Sequence, residues 1–334
     1  MARLLIVRVG AMGDVLHALP AAAALRRVRP DWEIDWVVDE RWQPLLTAEI
    51  PGPVVRVSFT VPVRAWKSAP LSRETVRSFL EFRKLRGHYD MVVDMQGTLR
   101  AAAIGRLAGG GTLAGYEDPR EGLAGTLYGQ SFLRQGEHVV QQGAALLGAV
   151  SSVQLEPVAA EIPRTEWAEH WAEELIGNSS VCVLTPRAGW VTKQWPVERF
   201  GELAQRLRAM GYRCVVNKPN KDDELAEAVV AASDGAAEPV VCNVAGLIAL
   251  VRRAKLLVGG DSGPMHLAAM LGVPVVALFG PTNPLRNGPW GPGPKAVLRD
   301  ASSQNTYRRT GEVDPGLAKV TVEQVAAAVA GLEA

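Results

Sequence analysis

Cysteine is scarce in this sequence, with only Cys182, Cys214 and Cys242 among 334 residues. The three are odd in number, far apart and each beside a Val-rich run, so they read as reduced residues of buried strands. With no CxxC pair and no Cys/His ligand set, the spacing argues against a structural zinc or a redox centre. An excess of either charge is also missing, since 36 Lys and Arg face 35 Asp and Glu. Such a chain lacks the positive field of a dedicated nucleic-acid binder, so no nucleic-acid partner is expected and any anion recognition must be local. Long apolar runs are absent too. No stretch of roughly 18 uncharged apolar residues occurs, and the Ala-rich segment from Ala18 to Ala24 soon meets Arg26 and Arg27. The run from Leu4 to Val9 is too short for a signal-peptide core and leads straight into a glycine turn with an acidic residue. The expectation is a cytoplasmic protein that does not cross a membrane but can lie against one.

What the sequence does have is length and apolar content, 334 residues at 48% hydrophobic, enough for two cores and about two domains. The first half alternates strand-like runs (Leu4 to Val9, Ile34 to Val38, Val54 to Val57, Met91 to Asp94) with helical stretches, the pattern of a parallel sheet with crossover helices. Around Ser151 to Arg164 the pattern lapses, and a helix carrying Trp167 and Trp171 restarts it. Strands then follow at Val181 to Thr185, Arg213 to Asn217, Pro239 to Cys242, Leu256 to Gly259 and Val273 to Phe279. The predicted fold class is therefore α/β, with one Rossmann-like domain over 1–155 and a second over 165–315. A final helix within 320–334 has the option of crossing back to the first domain.

Four strand ends carry candidate chemistry. The first strand runs into Gly10-Ala11-Met12-Gly13-Asp14, which puts Asp14 where open α/β sheets place their ligands. The spacing is not GxGxxG, which weakens a dinucleotide reading. Asp14 is either a site residue or a helix cap contributing about 1 kcal/mol. The strongest signal is Gly259-Gly260-Asp261-Ser262-Gly263-Pro264-Met265-His266, a strand end opening a helix. Its backbone N–H groups at Ser262 and Gly263 suit a diphosphate. A carboxylate opposes phosphate, so Asp261 fits sugar hydroxyls or loop ordering better, and His266 taken alone reads as a packing residue. Between the halves, the loop from Thr185 to Pro196 bears Arg187 and Lys193. Lys193 either neutralises a leaving diphosphate or is a solvated lysine. Beyond the next strand, one carboxylate among Asp222, Asp223 and Glu224, beside Lys218, is placed to accept ribose hydroxyls, the rest being a solvated helix start. Arg56, Arg64, Lys67, Arg73, Arg77, Arg83, Lys84 and Arg86, opposed nearby only by Glu74 and Glu81, form the densest cationic stretch. It suits a phosphorylated or carboxylated acceptor, or is simply a basic helix face.

With these residues laid out, the sequence resembles glycosyltransferase family 9, the lipopolysaccharide heptosyltransferases, and within it the members that add the first inner-core heptose. The resemblance runs nearly end to end. It is carried by Met12-Gly13-Asp14-Val15-Leu16-His17-Ala18-Leu19-Pro20, Asp35-Trp36-Val37-Val38, Asp94-Met95-Gln96-Gly97 and Arg120-Glu121. In the second half it is carried by Lys193-Gln194-Trp195-Pro196, Asp261-Ser262-Gly263 with His266, and Phe279-Gly280-Pro281-Thr282. The resemblance implies a GT-B fold, two Rossmann-like domains facing each other across a cleft that closes on its substrates to exclude water. It also implies inverting transfer of heptose from an ADP-heptose co-substrate to a 3-deoxy-octulosonic acid residue of lipid A, on the inner face of the cytoplasmic membrane.

Carried over by position, Asp14 matches the general base and Lys193 the diphosphate site. Thr185, Arg187, Glu224, Asp261, Ser262, Gly263 and His266 match donor positions, and Gly13, Arg64, Lys67 and Arg120 acceptor positions. No cofactor and no essential divalent metal is implied. Three departures stand out: Leu247 directly follows Asn243-Val244-Ala245-Gly246, Lys218-Pro219-Asn220 replaces glycines, and Gln142 stands four residues after His138 where the family has Arg. The alternatives are a family 9 enzyme with another donor or acceptor, an NAD-dependent oxidoreductase and a non-catalytic nucleotide-binding protein.

Overall fold

A computed structural model describes residues 2–70, 72–109, 113–309 and 311–333. The chain divides between Pro163 and Arg164 into two compact units. Each contains one six-stranded, wholly parallel sheet.

The first unit contains β1 (Arg3–Val7), α1 (Met12–Val28), β2 (Glu33–Asp39), β3 (Val57–Val61), α2 (Val63–Ser68), α3 (Arg73–Glu81), β4 (Met91–Asp94), α4 (Leu99–Gly109), β5 (Leu113–Tyr116), β6 (Gln130–Phe132) and α5 (Val139–Ser151). Its strand order is β3-β2-β1-β4-β5-β6, so the order reverses beside β1, where ligands of open α/β sheets bind. Central strands of a parallel sheet are covered on both faces and read as continuous apolar runs. Leu4 to Val7 of β1 accordingly lie buried without alternation. On one face α1 packs against α5 through its Ala-rich middle, Ala21 and Ala22 being fully buried. On the other, Trp66, Phe82, Ala101, Ala102 and Ile104 close the core over Leu5, Val7 and Val92.

The second unit contains α6 (Glu166–Ile176), β7 (Val181–Thr185), α7 (Val197–Ala209), β8 (Arg213–Lys218), α8 (Glu224–Ala232), β9 (Ala237–Val241), α9 (Val244–Arg253), β10 (Leu256–Gly260), α10 (Gly263–Met270), β11 (Val275–Leu278), α11 (Pro284–Asn287), β12 (Lys295–Leu298) and α12 (Val322–Glu333). Its order is β12-β11-β10-β7-β8-β9, with the reversal between β10 and β7. Side-chain caps start α8, α9 and α11: Asp223 accepts from the Ala226 N–H, Asn243 from the Gly246 N–H and Asn283 from the Leu285 N–H.

Two sequence expectations change here. The third strand lies at Val57–Val61 rather than Val54 to Val57, paired in register with Asp35–Asp39. The strands β5, β6 and β12, short and weakly apolar, have no counterpart in the sequence reading. Gly115 in β5 shows why: a Cβ there would stand 2.4 Å from the Tyr128 ring, so packing and not strand propensity chose the residue. The final helix, given the option of crossing back, belongs to the second unit. α12 packs on α7 and β12, and Val322, Val325 and Val329 are part of that core. Cys182, Cys214 and Cys242 are free thiols, the first two buried side by side on β7 and β8. No helix among the described residues is long and apolar enough to cross a membrane.

Candidate active site

In the first unit the candidate residues gather at the carboxyl ends of β1 and β4. Asp14 is the third residue of α1, and its Oδ2 accepts from the N–H of Ala11 at 3.0 Å, so the carboxylate does cap the helix. Its other oxygen meets Arg8 Nη2 at 2.9 Å, and the side chain remains 37% exposed. Cap and ion pair together fix a carboxylate that is still open to solvent. Arg8 is held in turn by the carbonyl oxygens of Met95 and Asp14. Sequence reading missed Arg8, although a lone cation near the end of Leu4-Leu5-Ile6-Val7 is itself a signal, because a charge so placed needs a partner at the strand's ligand end.

The Asp94-Met95-Gln96-Gly97 turn builds the neighbouring wall. Asp94 Oδ1 accepts from the backbone N–H groups of Gln96 at 2.7 Å and Gly97 at 2.9 Å, and Oδ2 from the Tyr128 hydroxyl at 2.8 Å. Burial pushes the Asp94 carboxyl above its ordinary range, and these hydrogen bonds offset only part of the effect. Gln96 Oε1 reaches across to accept from the Gly10 N–H at 3.1 Å. Gly97 has φ +69°, and a Cβ on it would lie 2.8 Å from the Arg120 nitrogen. Only glycine lets the Arg120 loop approach this closely, and that approach brings exposed Arg120 to the same sheet edge as Gly13 and Asp14. Arg64 and Lys67 sit on α2 after β3, two strands from β1 and so about 10 Å along the same edge. Both are exposed.

In the second unit β7 and β10 end side by side. A Cβ on Gly259 would collide with Thr185 Oγ1 at 1.9 Å, and one on Gly260 would lie 2.7 Å from the Lys193 carbonyl oxygen. The two glycines therefore let the Lys193 loop close onto the Asp261 turn. There Asp261 Oδ2 accepts from Lys193 Nζ at 2.5 Å and from the Thr282 hydroxyl at 2.7 Å, while Oδ1 meets His266 Nε2 at 3.2 Å. Burial alone would raise this carboxyl, but the His266 hydrogen bond and the Lys193 charge outweigh it and hold Asp261 well below the usual carboxylate range. Asp261 is thus the anchor of the turn, the loop-ordering alternative raised by its sequence. Thr282 completes the cluster and was visible only as part of Phe279-Gly280-Pro281-Thr282.

Beside the anchor, Ser262 caps α10 by backbone geometry, with Gly263 as its first residue. The Ser262 hydroxyl and the Thr192 hydroxyl are shielded and have no hydrogen-bond partner. The idle Ser262 hydroxyl at the N-terminus of α10, on the turn whose Asp261 is bound by Lys193, suits an anion with several acceptor oxygens. Trp190 flanks Lys193, its ring centre 4.8 Å from Nζ and also 4.8 Å from the Arg309 guanidinium carbon.

The remaining donor candidates separate. Thr185 is buried with its hydroxyl on the Val258 carbonyl. Arg187 is committed to Asp223 through two hydrogen bonds of 2.7 and 2.6 Å. Asp223 is buried, and although burial would raise it, the Arg187 bonds hold it low. Buried Lys218 pairs with Glu227. Of that acidic run, Glu224 at the first position of α8 and Asp222 are exposed. Among the described residues no group of three His, Cys, Asp or Glu is arranged to hold a metal ion.

Fold and turn chemistry define a two-domain, doubly wound α/β protein with an anion-ready strand-to-helix turn in its second domain. The comparisons with known proteins specify the class further. The family model "Glycosyltransferase family 9 (heptosyltransferase)" matches residues 80–315. Lipopolysaccharide heptosyltransferase 1 of Pseudomonas aeruginosa is 32% identical over 304 residues, 86% of this chain and 81% of the relative. The E. coli heptosyltransferase WaaC solved with ADP superposes with TM-score 0.80 at 26% identity, over 99% of both chains. The same enzyme with ADP-2-deoxy-2-fluoro heptose gives 0.74 at 26% identity, over 98% and 99%. The chain belongs to glycosyltransferase family 9 (heptosyltransferase). It is a glycosyltransferase of the GT-B fold class.

Proposed function

We propose that this enzyme transfers heptose from ADP-L-glycero-D-manno-heptose to a 3-deoxy-octulosonic acid residue of lipid A, the first heptose addition of lipopolysaccharide inner-core synthesis. The observation that carries the donor side is the turn at α10, where Lys193 and the Ser262 hydroxyl meet the helix N-terminus around the Asp261 anchor. A diphosphate would take those idle donors and draw Lys193 toward itself. The names and ligands of the relatives support ADP-heptose as the donor and the first-heptose step. Thr185 and Arg187 act by shape, the former packing beneath Gly259 and the latter locking Asp223 at the start of α8. That lock leaves Glu224 free for ribose hydroxyls.

On the acceptor side the hydroxyl oxygen attacks the anomeric carbon from the face opposite the diphosphate, which inverts that centre. Its proton passes to the carboxylate of Asp14. The anomeric carbon–oxygen bond breaks with its electron pair going to the β-phosphate oxygen, and the charge that develops on departing ADP is stabilised by Lys193 and the α10 amides. Arg64, Lys67 and Arg120 hold the anionic acceptor, with Gly13 giving it room beside Asp14. No step calls for a metal. Because the acceptor is anchored by its lipid, the enzyme works peripherally on the inner face of the cytoplasmic membrane.

The test follows product mass and ADP release with this donor and a lipid A acceptor bearing 3-deoxy-octulosonic acid. Wild type should form product, and Asp14→Asn should lower the rate by roughly 100-fold or more while still binding donor. Failure of folded, donor-binding wild type to transfer would sink the acceptor assignment, and an Asp14→Asn variant of wild-type rate would sink the base.

A further inference from the structure

The cationic stretch is not spent on the acceptor positions alone. Only Arg64 and Lys67 lie on α2, and the rest of the charge continues along α3 and the turn after it. Residues 64–86 contain seven Lys and Arg against Glu74 and Glu81, a local net charge of +5 in a chain whose total is +1. At 3.6 residues per turn, Arg73, Val76, Arg77 and Leu80 fall within about 100° of arc on α3. All four are exposed, and the two apolar ones are 47% and 48% accessible. Arg83 extends the exposed cationic edge, while Lys84 beside it pairs with Glu81.

The opposite face of α3 is the one that packs. Thr75 is buried, Phe79 stacks on Trp66 with centroids 4.3 Å apart, and Ser78 accepts from Trp66 Nε1 at 2.8 Å. That packing fixes the orientation of α3 and ties it to α2, and so to Arg64 and Lys67. The exposed stripe presents a valine and a leucine beside two arginines. A surface that sets aliphatic side chains beside cations matches an anionic bilayer, which takes up the aliphatic side chains below its headgroups and attracts the charges.

We propose that the exposed face of α3, with Val76 and Leu80 on one flank and Arg73 and Arg77 on the other and Arg83 beyond its end, is the surface by which this enzyme docks on an anionic membrane leaflet. The proposal deepens the peripheral location that follows from the lipid-linked acceptor, and rests on that reading for its purpose. Docking through α3 sets Arg64 and Lys67 of the neighbouring α2 near the headgroup plane, where an anionic sugar emerging from lipid A would be met. Each basic residue close to the leaflet strengthens attachment on the order of five-fold, an effect that salt screens.

The experiment uses full-length protein and vesicles without acceptor, so its outcome does not depend on the transfer reaction. Wild type should co-sediment with vesicles containing phosphatidylglycerol and much less with pure phosphatidylcholine, and added salt should release it. Arg73→Glu/Arg77→Glu should weaken attachment at least ten-fold, and Val76→Ser/Leu80→Ser several-fold, with unchanged circular dichroism and melting temperature because the residues are exposed. On a water-soluble, delipidated acceptor all variants should match wild type, whereas on vesicle-embedded acceptor they should be slower. Equal binding to both vesicle types, wild-type binding by the variants, or use of the same stripe to pair two copies or to bind an RNA oligonucleotide would each overturn the proposal. Absence of transfer to either acceptor form, with vesicle binding intact, would instead count against the substrate assignment alone.

Discussion

Lys193 answers two demands at once. It neutralises a buried carboxylate in the free enzyme, and in the proposed reaction it neutralises the departing diphosphate. Both partners are largely shielded, with side-chain exposures of 13% for Lys193 and 8% for Asp261, so removing one leaves the other in a medium that solvates charge poorly. Lys193→Met should cost about 3 kcal/mol of stability and slow transfer by roughly 100-fold. The pH dependence has a definite sign. The folded-state value of Asp261 is depressed, so its contribution is complete above the ordinary carboxylate value of about 4 and is lost as pH falls through the folded-state value. Lys193→Met shrinks that depression. In denaturant titrations the gap between wild type and variant should be full at neutral pH and should narrow below about pH 4. A gap that widens in acid would show that the charge pair is not its source. Lys193→Met combined with Asp261→Leu should recover part of the stability, since a matched apolar pair removes the stranded charge, but none of the activity.

At the scale of elements, the site depends on loops that approach more closely than side chains usually allow. The β10 turn lies against the Lys193 loop only because Gly260 has no Cβ. Gly260→Ala places a methyl against a backbone carbonyl that cannot rotate away, so the Lys193 loop must shift. The expected cost is about 1–3 kcal/mol, with a loss of ten-fold or more in kcat/KM for the donor, since small misplacements of a positioning group are expensive. Gly189→Ala is the control, because in the same loop its new Cβ would meet nothing within 4 Å, and it should be close to silent. Steady-state kinetics on the two variants would check this, and an unaffected Gly260→Ala would mean the loops tolerate separation. In the sequence the glycines after Val258 were legible as a phosphate-binding turn. Their other use, admitting the Lys193 loop from 67 residues away, belongs to a pairing no local pattern encodes.

Over the whole molecule, the last helix shows how far stability is set by chain segments remote from the site. α12 adds Val322, Val325 and Val329 to the core formed by α7 and the β12 side of the second sheet, and Trp195 Nε1 and Arg199 Nη1 both donate to the carbonyl of Val320 just before it. Three fully buried valines represent at least about 5 kcal/mol, a large share of the 5–15 kcal/mol typical of a domain. Deleting residues 322–334 should therefore make the second unit susceptible to limited proteolysis while the first remains resistant, as read by fragment masses. Equal resistance of both units would show that α12 is dispensable. The deletion leaves every candidate site residue in place, so any accompanying loss of transfer reports on folding.

Much of this protein was fixed by its sequence alone. Two doubly wound α/β units follow from the alternation of apolar strands with helices. The ligand ends of β1 and β10 follow from glycine turns placed directly after apolar runs, because backbone sterics and hydrophobic periodicity act over a few residues at a time. The family was legible for the same reason, since its motifs are contiguous. Tertiary structure alone decided which groups meet: Arg8 with Asp14, Thr282 with Asp261, Arg187 with Asp223, and α12 with its own unit. It also decided that β5 is a strand despite Gly115, and that Val76 and Leu80 face outward while Thr75 and Phe79 face the core. These outcomes depend on contacts between residues distant in the chain, whose energies are set by burial and charge in the folded state and leave little trace in local composition.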